Sequence, residues 1–184
     1  MLPGLHGTSG GSGLIRVTGT QIGARDYSLG GGYTYRVPVN PELQGRTFAP
    51  TAPYLVGREK VREFARAVLS TSPLNSDPEA ARAAGYSDVV APPTFPIVIG
   101  ELTLAQLLAE PDAGIDFTRV VHGDQRFSYT RPIVAGDELT ATLAVTAIKS
   151  LGGHSMVTAE STIVDGTGAH VVTAISTLVV RGDE

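Results

Sequence analysis

The residues from Phe95 to Glu110 constrain the fold more than any other part of the chain, because apolar side chains surround almost the whole helix that they predict. These side chains belong to Phe95, Ile97, Val98, Ile99, Leu102, Leu104, Leu107 and Leu108. A helix that is apolar nearly all round is a buried helix. The chain must therefore supply other elements that surround it.

Four segments after this helix have the pattern of β-strands, at roughly residues 119–130, 137–149, 154–164 and 169–181. In the second segment Leu139, Ala141 and Leu143 alternate with polar residues, which predicts one dry and one wet face. Glycine-containing turns separate the segments, so neighbouring strands are antiparallel. We therefore predict an α+β protein of the hot-dog type, with a curved antiparallel sheet wrapped around a long central helix.

Residues 1–41 differ from the rest of the chain because they hold many of its 22 glycines. A segment of this composition buries too little apolar area to offset its ordering entropy, so we expect a loose N-terminal extension with at most a short strand near residues 33–37. Residues 42–184 then form a single domain. The apolar content of 42% is enough for one sizeable core.

Composition excludes several classes of function. The net charge is −4 and there is no basic run, so we expect no nucleic-acid partner. The chain has no cysteine and its four histidines lack metal-ligand spacing, so we expect no metal and no cofactor. Because no leader pattern or membrane-length apolar run is present, we expect no membrane contact and a soluble, cytoplasmic protein.

Two predicted helices flank a polar loop in the first half of the domain. The first begins at Gly57 and places Val61, Phe64 and Ala65 on one face, with charged residues opposite. The second is short, with Asp77 as its cap and Gly85 as its stop. The loop between them holds the positions that matter most for chemistry.

This loop reads L-S-T-S-P-L-N from Leu69 to Asn75 and resembles the G-D-x-N-P-(L/I/V)-H motif of MaoC-like (R)-specific enoyl hydratases and 3-hydroxyacyl dehydratases. Counting back from A-A-G-Y at residues 83–86 puts Ser70 at the aspartate position and Asn75 at the histidine position. Further strings extend the resemblance over about residues 43–184: V-G-R-E-K-V-R-E-F-A at 56–65, A-P-P-T-F at 91–95, H-G-D-Q-R-F at 122–127 and R-P-I-V-A-G-D at 131–137. Together they are similar to the FAS1-like dehydratase, or MaoC N-terminal, type of hot-dog domain, and especially to the non-catalytic subunits of heterodimeric (3R)-hydroxyacyl-ACP dehydratases.

The resemblance implies reversible addition of water across a trans-2-enoyl thioester, with an aspartate and a histidine as the proton carriers. Serine and asparagine donate and accept hydrogen bonds but do not titrate near pH 7. Losing a general acid or base typically costs about 10²- to 10⁴-fold in rate for each group. We therefore expect Ser70 and Asn75 to be degenerate positions and the chain to hold no catalytic residue of its own.

Two strings hold the candidate substrate-binding residues, which are Pro93, Thr94, Phe95, His122, Gly123 and Gln125. The start of the apolar helix offers unpaired N–H groups to a thioester oxygen, with the Thr94 hydroxyl as a cap. The alternative is that Pro92, Pro93 and Thr94 simply start a helix.

His122 also has two readings. It could be a relocated base with Asp124 as its orienting group, because the two side chains share a face on a regular strand. However, neighbours at this spacing lie about 7 Å apart and rarely hydrogen-bond directly. The resemblance instead implies a pocket wall, with Gly123 allowing close approach of the facing backbone.

Three functions remain open. The first is a dehydratase or hydratase (lyase) subunit that shapes the acyl pocket for acyl-ACP or acyl-CoA, while a MaoC-like partner chain supplies the aspartate and histidine. The second is a self-dimer that binds acyl thioesters without turnover. The third is a hot-dog thioesterase with Glu101 as its carboxylate.

Overall fold

The computed structural model describes residues 39–182, together with three short antiparallel strands before them. These strands are Arg16–Val17 (β1), Asp26–Leu29 (β2) and Tyr33–Arg36 (β3). The strand predicted near residues 33–37 is thus present. Strands β1 and β2 were not predicted, and the predicted looseness of residues 1–15, 18–25, 30–32 and 37–38 lies outside the described residues.

The packed part of the chain already includes Val39, which is buried in the core. The next residue, Asn40, donates its backbone N–H to the carbonyl oxygen of Ala113 at 3.0 Å. Close packing therefore reaches three residues upstream of residue 42, where the sequence placed the start of the domain.

Apart from the short strand Tyr54–Leu55, which was not predicted, the following elements occur in the predicted order, with the helices before the long strands. They are β4 (Tyr54–Leu55), α1 (Arg58–Ala67), α2 (Pro78–Ala83), α3 (Pro96–Ala109), β5 (Val120–Tyr129), β6 (Glu138–Leu151), β7 (His154–Asp165) and β8 (His170–Val180). The strands form one curved antiparallel sheet in the order β4-β6-β7-β8-β5. Helix α3 packs against the concave face of this sheet, on β6, β7 and β8.

Alternation along the strands produces the core. On β6, Leu139, Ala141, Leu143 and Val145 are fully buried, while the residues that alternate with them lie on the opposite face and are partly exposed. Ile99 and Leu107 of α3 pack onto this layer. Each buried aliphatic side chain of this kind contributes about 1.5–3 kcal/mol relative to leaving it exposed in water.

Helix α3 is not buried all round, and that prediction was wrong. One face presents Glu101 and Ala105 to solvent, and Leu102 is 42% exposed. The physical reason is that a single sheet covers only one side of a helix. The apolar pattern therefore includes a second surface on α3, which residues 39–182 leave uncovered.

The pairing of the edge strand β5 is irregular. It pairs with β8 alone within the five-stranded sheet, and its register with β8 shifts between His122 and Asp124. This shift is a β-bulge at Gly123, which adds one residue to β5 and increases the local twist. The bulge determines which side chains of β5 lie on the face of the sheet that carries α3.

Candidate functional site

The degenerate loop begins where helix α1 ends in a Schellman motif. The Ser70 N–H donates to Ala65 O at 2.8 Å, and the Leu69 N–H donates to Arg66 O at 3.1 Å. Leu69 consequently has a left-handed backbone with φ of 56°, and its side chain is 85% exposed. Glycine is the usual residue at this position, and the motif that the loop resembles has glycine there.

We expect Leu69→Gly to raise the free energy of unfolding by about 0.5–1 kcal/mol, because a left-handed conformation costs most L-residues roughly 1–2 kcal/mol and glycine much less. Denaturant titration measures the change. Ala67→Gly in the last turn of α1 is the matched control and should lower stability by up to about 1 kcal/mol. Destabilisation by Leu69→Gly would show that the exposed side chain makes a stabilising contact.

The side chains of Ser70 and Asn75 form a polar clip with the backbone of Val90. The Ser70 hydroxyl donates to Asn75 Oδ1 at 2.6 Å, and Asn75 Nδ2 donates to Val90 O at 2.6 Å. The Val90 N–H in turn donates to Leu74 O at 2.8 Å. Asn75 is only 6% exposed, so these bonds satisfy a buried amide and fasten the loop to the segment that leads into α3.

The carboxylate two residues before Val90 is also committed to a partner. Asp88 forms a two-point ion pair with the Arg58 guanidinium at the start of α1. The hydrogen bond from Arg58 lowers the pKa of Asp88 to about 2. Such a carboxylate is a poor general base at neutral pH, because the best catalytic bases have a pKa near the working pH.

The start of α3 differs in one detail from the prediction. Phe95, rather than Thr94, occupies the N-cap position, and no side chain caps the helix. The first amides are satisfied within the turn, since the N–H of Ile97 donates to Thr94 O at 3.2 Å and that of Val98 to Phe95 O at 2.9 Å. The Thr94 cap is therefore not formed, because Pro96 at the first helical position moves the cap one residue onward.

The three candidate residues at this helix start differ in exposure. Pro93 and Thr94 are exposed, whereas the Phe95 side chain is fully buried and packs edge-on against Phe64 with ring centroids 5.3 Å apart. Phe95 is thus a core residue in this chain. Only its backbone remains for contact with a ligand.

Tyr129, at the end of β5, was not among the predicted site residues. Its hydroxyl donates to Pro93 O at 2.8 Å and so fastens the edge strand to the start of α3. Burial raises the pKa of Tyr129, which keeps the phenol protonated as a donor. A tyrosine at a strand end has no distinguishing sequence pattern, so this contact was not predictable.

Five side chains of β5 lie on the concave face of the sheet. Each is paired with a buried residue of β8, and directly paired residues share a face. The pairs are Val120 with Val180, His122 with Leu178, Gln125 with Ser176, Phe127 with Ala174, and Tyr129 with Val172. The structure thus brings His122 and Gln125 to the same face as helix α3.

His122 and Asp124 lie on opposite faces, and the prediction that they share one was wrong. The bulge at Gly123 breaks the two-residue alternation, and Asp124 pairs with Thr177 on the outer face. Its carboxylate binds Arg126 Nε at 2.7 Å. Asp124 therefore does not orient the His122 imidazole as a base.

Gly123 lies against strand β8, as the pocket-wall reading expected of this glycine. A Cβ atom at this position would lie 3.1 Å from Val179 Cγ2 and 3.3 Å from Thr177 O. Both distances are tighter than ordinary contacts, so any larger side chain would press on the facing strand. Gly123 thus permits the close approach of β5 to β8, and its hydrogen side chain adds no chemistry.

The last resembling string anchors the loop between β5 and β6. Arg131 binds Asp137 Oδ2 at 2.8 Å and Asp165 Oδ2 at 3.0 Å, which ties this loop to the end of β7. Asp165 also accepts from Thr167, and these hydrogen bonds lower its pKa below the usual range. This string therefore has a structural role.

Other candidate chemistry is sparse. Glu101 is exposed on α3. Within residues 39–182, no three histidine, aspartate or glutamate side chains are grouped closely enough to hold a metal ion. In the same part of the chain, no helix has the length and apolar character needed to cross a membrane.

Comparison with known proteins identifies the family. Residues 42–174 match the family model described as FAS1-like, dehydratase domain region. A UPF0336 protein from Leifsonia xyli is 73% identical over 148 residues, which cover 80% of this chain and 99% of that protein. The region of similarity therefore includes the degenerate loop, α3 and most of the sheet.

Solved structures agree with this match. A chain of the HadBC (3R-hydroxyacyl-ACP dehydratase) complex from Mycobacterium tuberculosis has a TM-score of 0.69 and 32% identity, with 74% of this chain and 96% of that chain covered. A MaoC-like dehydratase has a TM-score of 0.68 and 37% identity, and the alignment covers 76% of this chain and 42% of that longer one. The predicted hot-dog fold is confirmed. The chain belongs to the FAS1-like dehydratase family.

Proposed function

We propose that this chain is a subunit of an (R)-specific 3-hydroxyacyl-thioester dehydratase or enoyl hydratase. It shapes the acyl pocket, and a second hot-dog chain supplies the catalytic aspartate and histidine. The substrate is a trans-2-enoyl or 3-hydroxyacyl thioester carried by ACP or CoA.

The polar clip is the observation that carries this proposal. Ser70 and Asn75 stand where the family motif has its proton carriers, and their polar groups are engaged with each other and with Val90. Neither side chain titrates near neutral pH. A chain with this loop needs a proton-transferring pair from elsewhere.

Two uncovered surfaces support a partner of the same fold. Strand β5 forms one edge of the sheet, and an unpaired edge is a surface onto which another strand adds. The exposed face of α3, with Leu102, faces solvent in this chain. The similar HadBC structure is described as a complex, which is consistent with such pairing.

The direct test is turnover of trans-2-octenoyl-CoA by this chain alone, and by this chain mixed with a MaoC-like hot-dog protein that carries the D-x(4)-H motif. We expect the mixture to exceed the lone chain by about 10⁴-fold or more, since two proton carriers are each worth about 10²- to 10⁴-fold. Alanine at the partner's aspartate or histidine should abolish the activity.

Appreciable turnover by the lone chain, abolished by His122→Ala but not by Asn75→Ala, would contradict the proposal. Thioester binding by a self-dimer, with no turnover in either sample, would instead identify an acyl-binding protein. Analytical ultracentrifugation of the same samples distinguishes a self-dimer from a heterodimer.

A further inference from the structure

The side chain of Gln125 is held in one orientation by its surroundings. Its Nε2 donates to Ile175 O at 3.2 Å and to Arg126 O at 3.3 Å. Its Oε1 accepts from the Ser176 hydroxyl at 2.6 Å and lies 3.1 Å from His122 Nε2. The opposite orientation would place the amide oxygen against two carbonyl oxygens. The contacts therefore distinguish Oε1 from Nε2 of Gln125.

This orientation fixes the tautomer of His122. An amide oxygen only accepts hydrogen bonds, so His122 Nε2 must carry the proton that it shares with Gln125. In a neutral imidazole the other nitrogen then holds a lone pair and is an acceptor. Among the described residues none donates to His122 Nδ1, and the residue is exposed.

The position of His122 in the sheet relates this acceptor to the proposed binding region. His122 lies on the concave face of the edge strand, the same face as α3, and its pairing with buried Leu178 sets that direction. The edge strand β5 is a surface at which the proposed function places the partner chain, with the acyl thioester between the two chains. The imidazole therefore lies on the face and at the edge of the sheet where the proposed function places the ligand.

We propose that His122 Nδ1 accepts a hydrogen bond from the thioester substrate, and that Gln125 is the positioning residue that holds the imidazole for this contact. The donor on the substrate is an O–H or N–H group, either the 3-hydroxyl of a hydroxyacyl chain or an amide of the pantetheine arm. The inference rests on the proposed function. It assigns His122 to substrate binding, because Asp124 lies on the opposite face and leaves the imidazole without a carboxylate to activate it as a base.

The test measures dissociation constants of (R)-3-hydroxyoctanoyl-CoA and octanoyl-CoA for the complex with the partner chain, and for this chain alone, by calorimetry. We expect His122→Leu to weaken binding by about tenfold, since one hydrogen bond is worth about that factor at most. His122→Asn should retain most of the affinity, because the asparagine carbonyl places an acceptor near the position of Nδ1. Gln125→Leu should weaken binding by several-fold.

The two ligands distinguish the donors. If the 3-hydroxyl is the donor, His122→Leu weakens only the hydroxyacyl ligand, and if the pantetheine amide is the donor, it weakens both equally. His154→Leu, which removes an exposed histidine at the start of β7, should leave both constants unchanged.

Imidazole ¹⁵N NMR of the wild-type protein gives a second, independent measurement. The proton should reside on Nε2 of His122, and added ligand should shift the Nδ1 resonance. A proton on Nδ1, or equal affinities of wild type, His122→Leu and Gln125→Leu in an active complex, would overturn the inference alone. A wild-type protein that neither binds nor converts these thioesters would overturn the proposed function, and the inference with it.

Discussion

Ser70→Asp combined with Asn75→His should give the lone chain hydratase activity, at least about 10²-fold above the wild-type chain with trans-2-octenoyl-CoA, because the pair restores a general acid and base. The backbone around these positions is already fixed. Helix α1 ends in a defined motif at Leu69, a 3₁₀ turn spans Pro73–Asn75, and the Val90 N–H holds Leu74 O. The new side chains therefore start from backbone positions that tertiary contacts determine.

The gain in hydratase activity should be accompanied by a loss of stability. Replacing Asn75 removes the Nδ2 bond to Val90 O, and replacing Ser70 removes the donor to Asn75, so we expect a loss of about 1–3 kcal/mol in the free energy of unfolding. Circular dichroism at the assay temperature confirms that the variant is folded.

A matched control places the same residue types one position later. Thr71→Asp with Ser76→His keeps the D-x(4)-H spacing on two exposed positions, and it should give no activity. A folded Ser70→Asp, Asn75→His variant that is as inactive as this control would show that the loop no longer has the geometry of the family motif.

The sequence predicted the sheet and the central helix because their patterns are long and strong. The strands β6 to β8 each alternate buried and less buried residues over eight residues or more, and α3 lies one residue inside each of its predicted ends. Local patterns of this length leave few alternative folds. The same reasoning placed α1 and α2 on either side of the degenerate loop.

The contacts that define the site could not be read from local patterns. The bulge at Gly123 reverses the face of Asp124, and a single glycine in a strand does not reveal whether the register shifts there. The clip joins Asn75 to Val90, fifteen residues later, through a backbone atom that every residue has. Such contacts depend on tertiary packing, so the motif identified Ser70 and Asn75 but not their partners.

The open face of α3 illustrates a further limit. Leu102 contributes to an apolar pattern that predicts burial, yet it is exposed in this chain. A hydrophobic pattern does not distinguish a surface buried within one chain from a surface buried between two chains. The sequence alone therefore overestimates burial within a single chain.

Phe95→Ala should lower the free energy of unfolding by about 3–5 kcal/mol, the cost of truncating a buried aromatic side chain. Phe95 is fully buried, packs edge-on against Phe64, and belongs to the cluster that includes Ile99 and Ile133. Its loss leaves a cavity directly beneath the start of α3. Urea titration followed by far-ultraviolet circular dichroism measures the change.

Phe117→Ala is the matched control, because Phe117 is 63% exposed and its truncation should change stability by less than about 0.5 kcal/mol. Comparison of the two variants distinguishes the effect on stability of removing an exposed phenyl ring from that of removing a packed one. If Phe95→Ala lowers the free energy of unfolding no more than Phe117→Ala does, the Phe95 ring is not part of the core. The prediction that the Phe95 side chain contacts the substrate would then stand. A loss of stability in the expected range would show that Phe95 is a core residue that packs beneath the exposed Pro93 and Thr94.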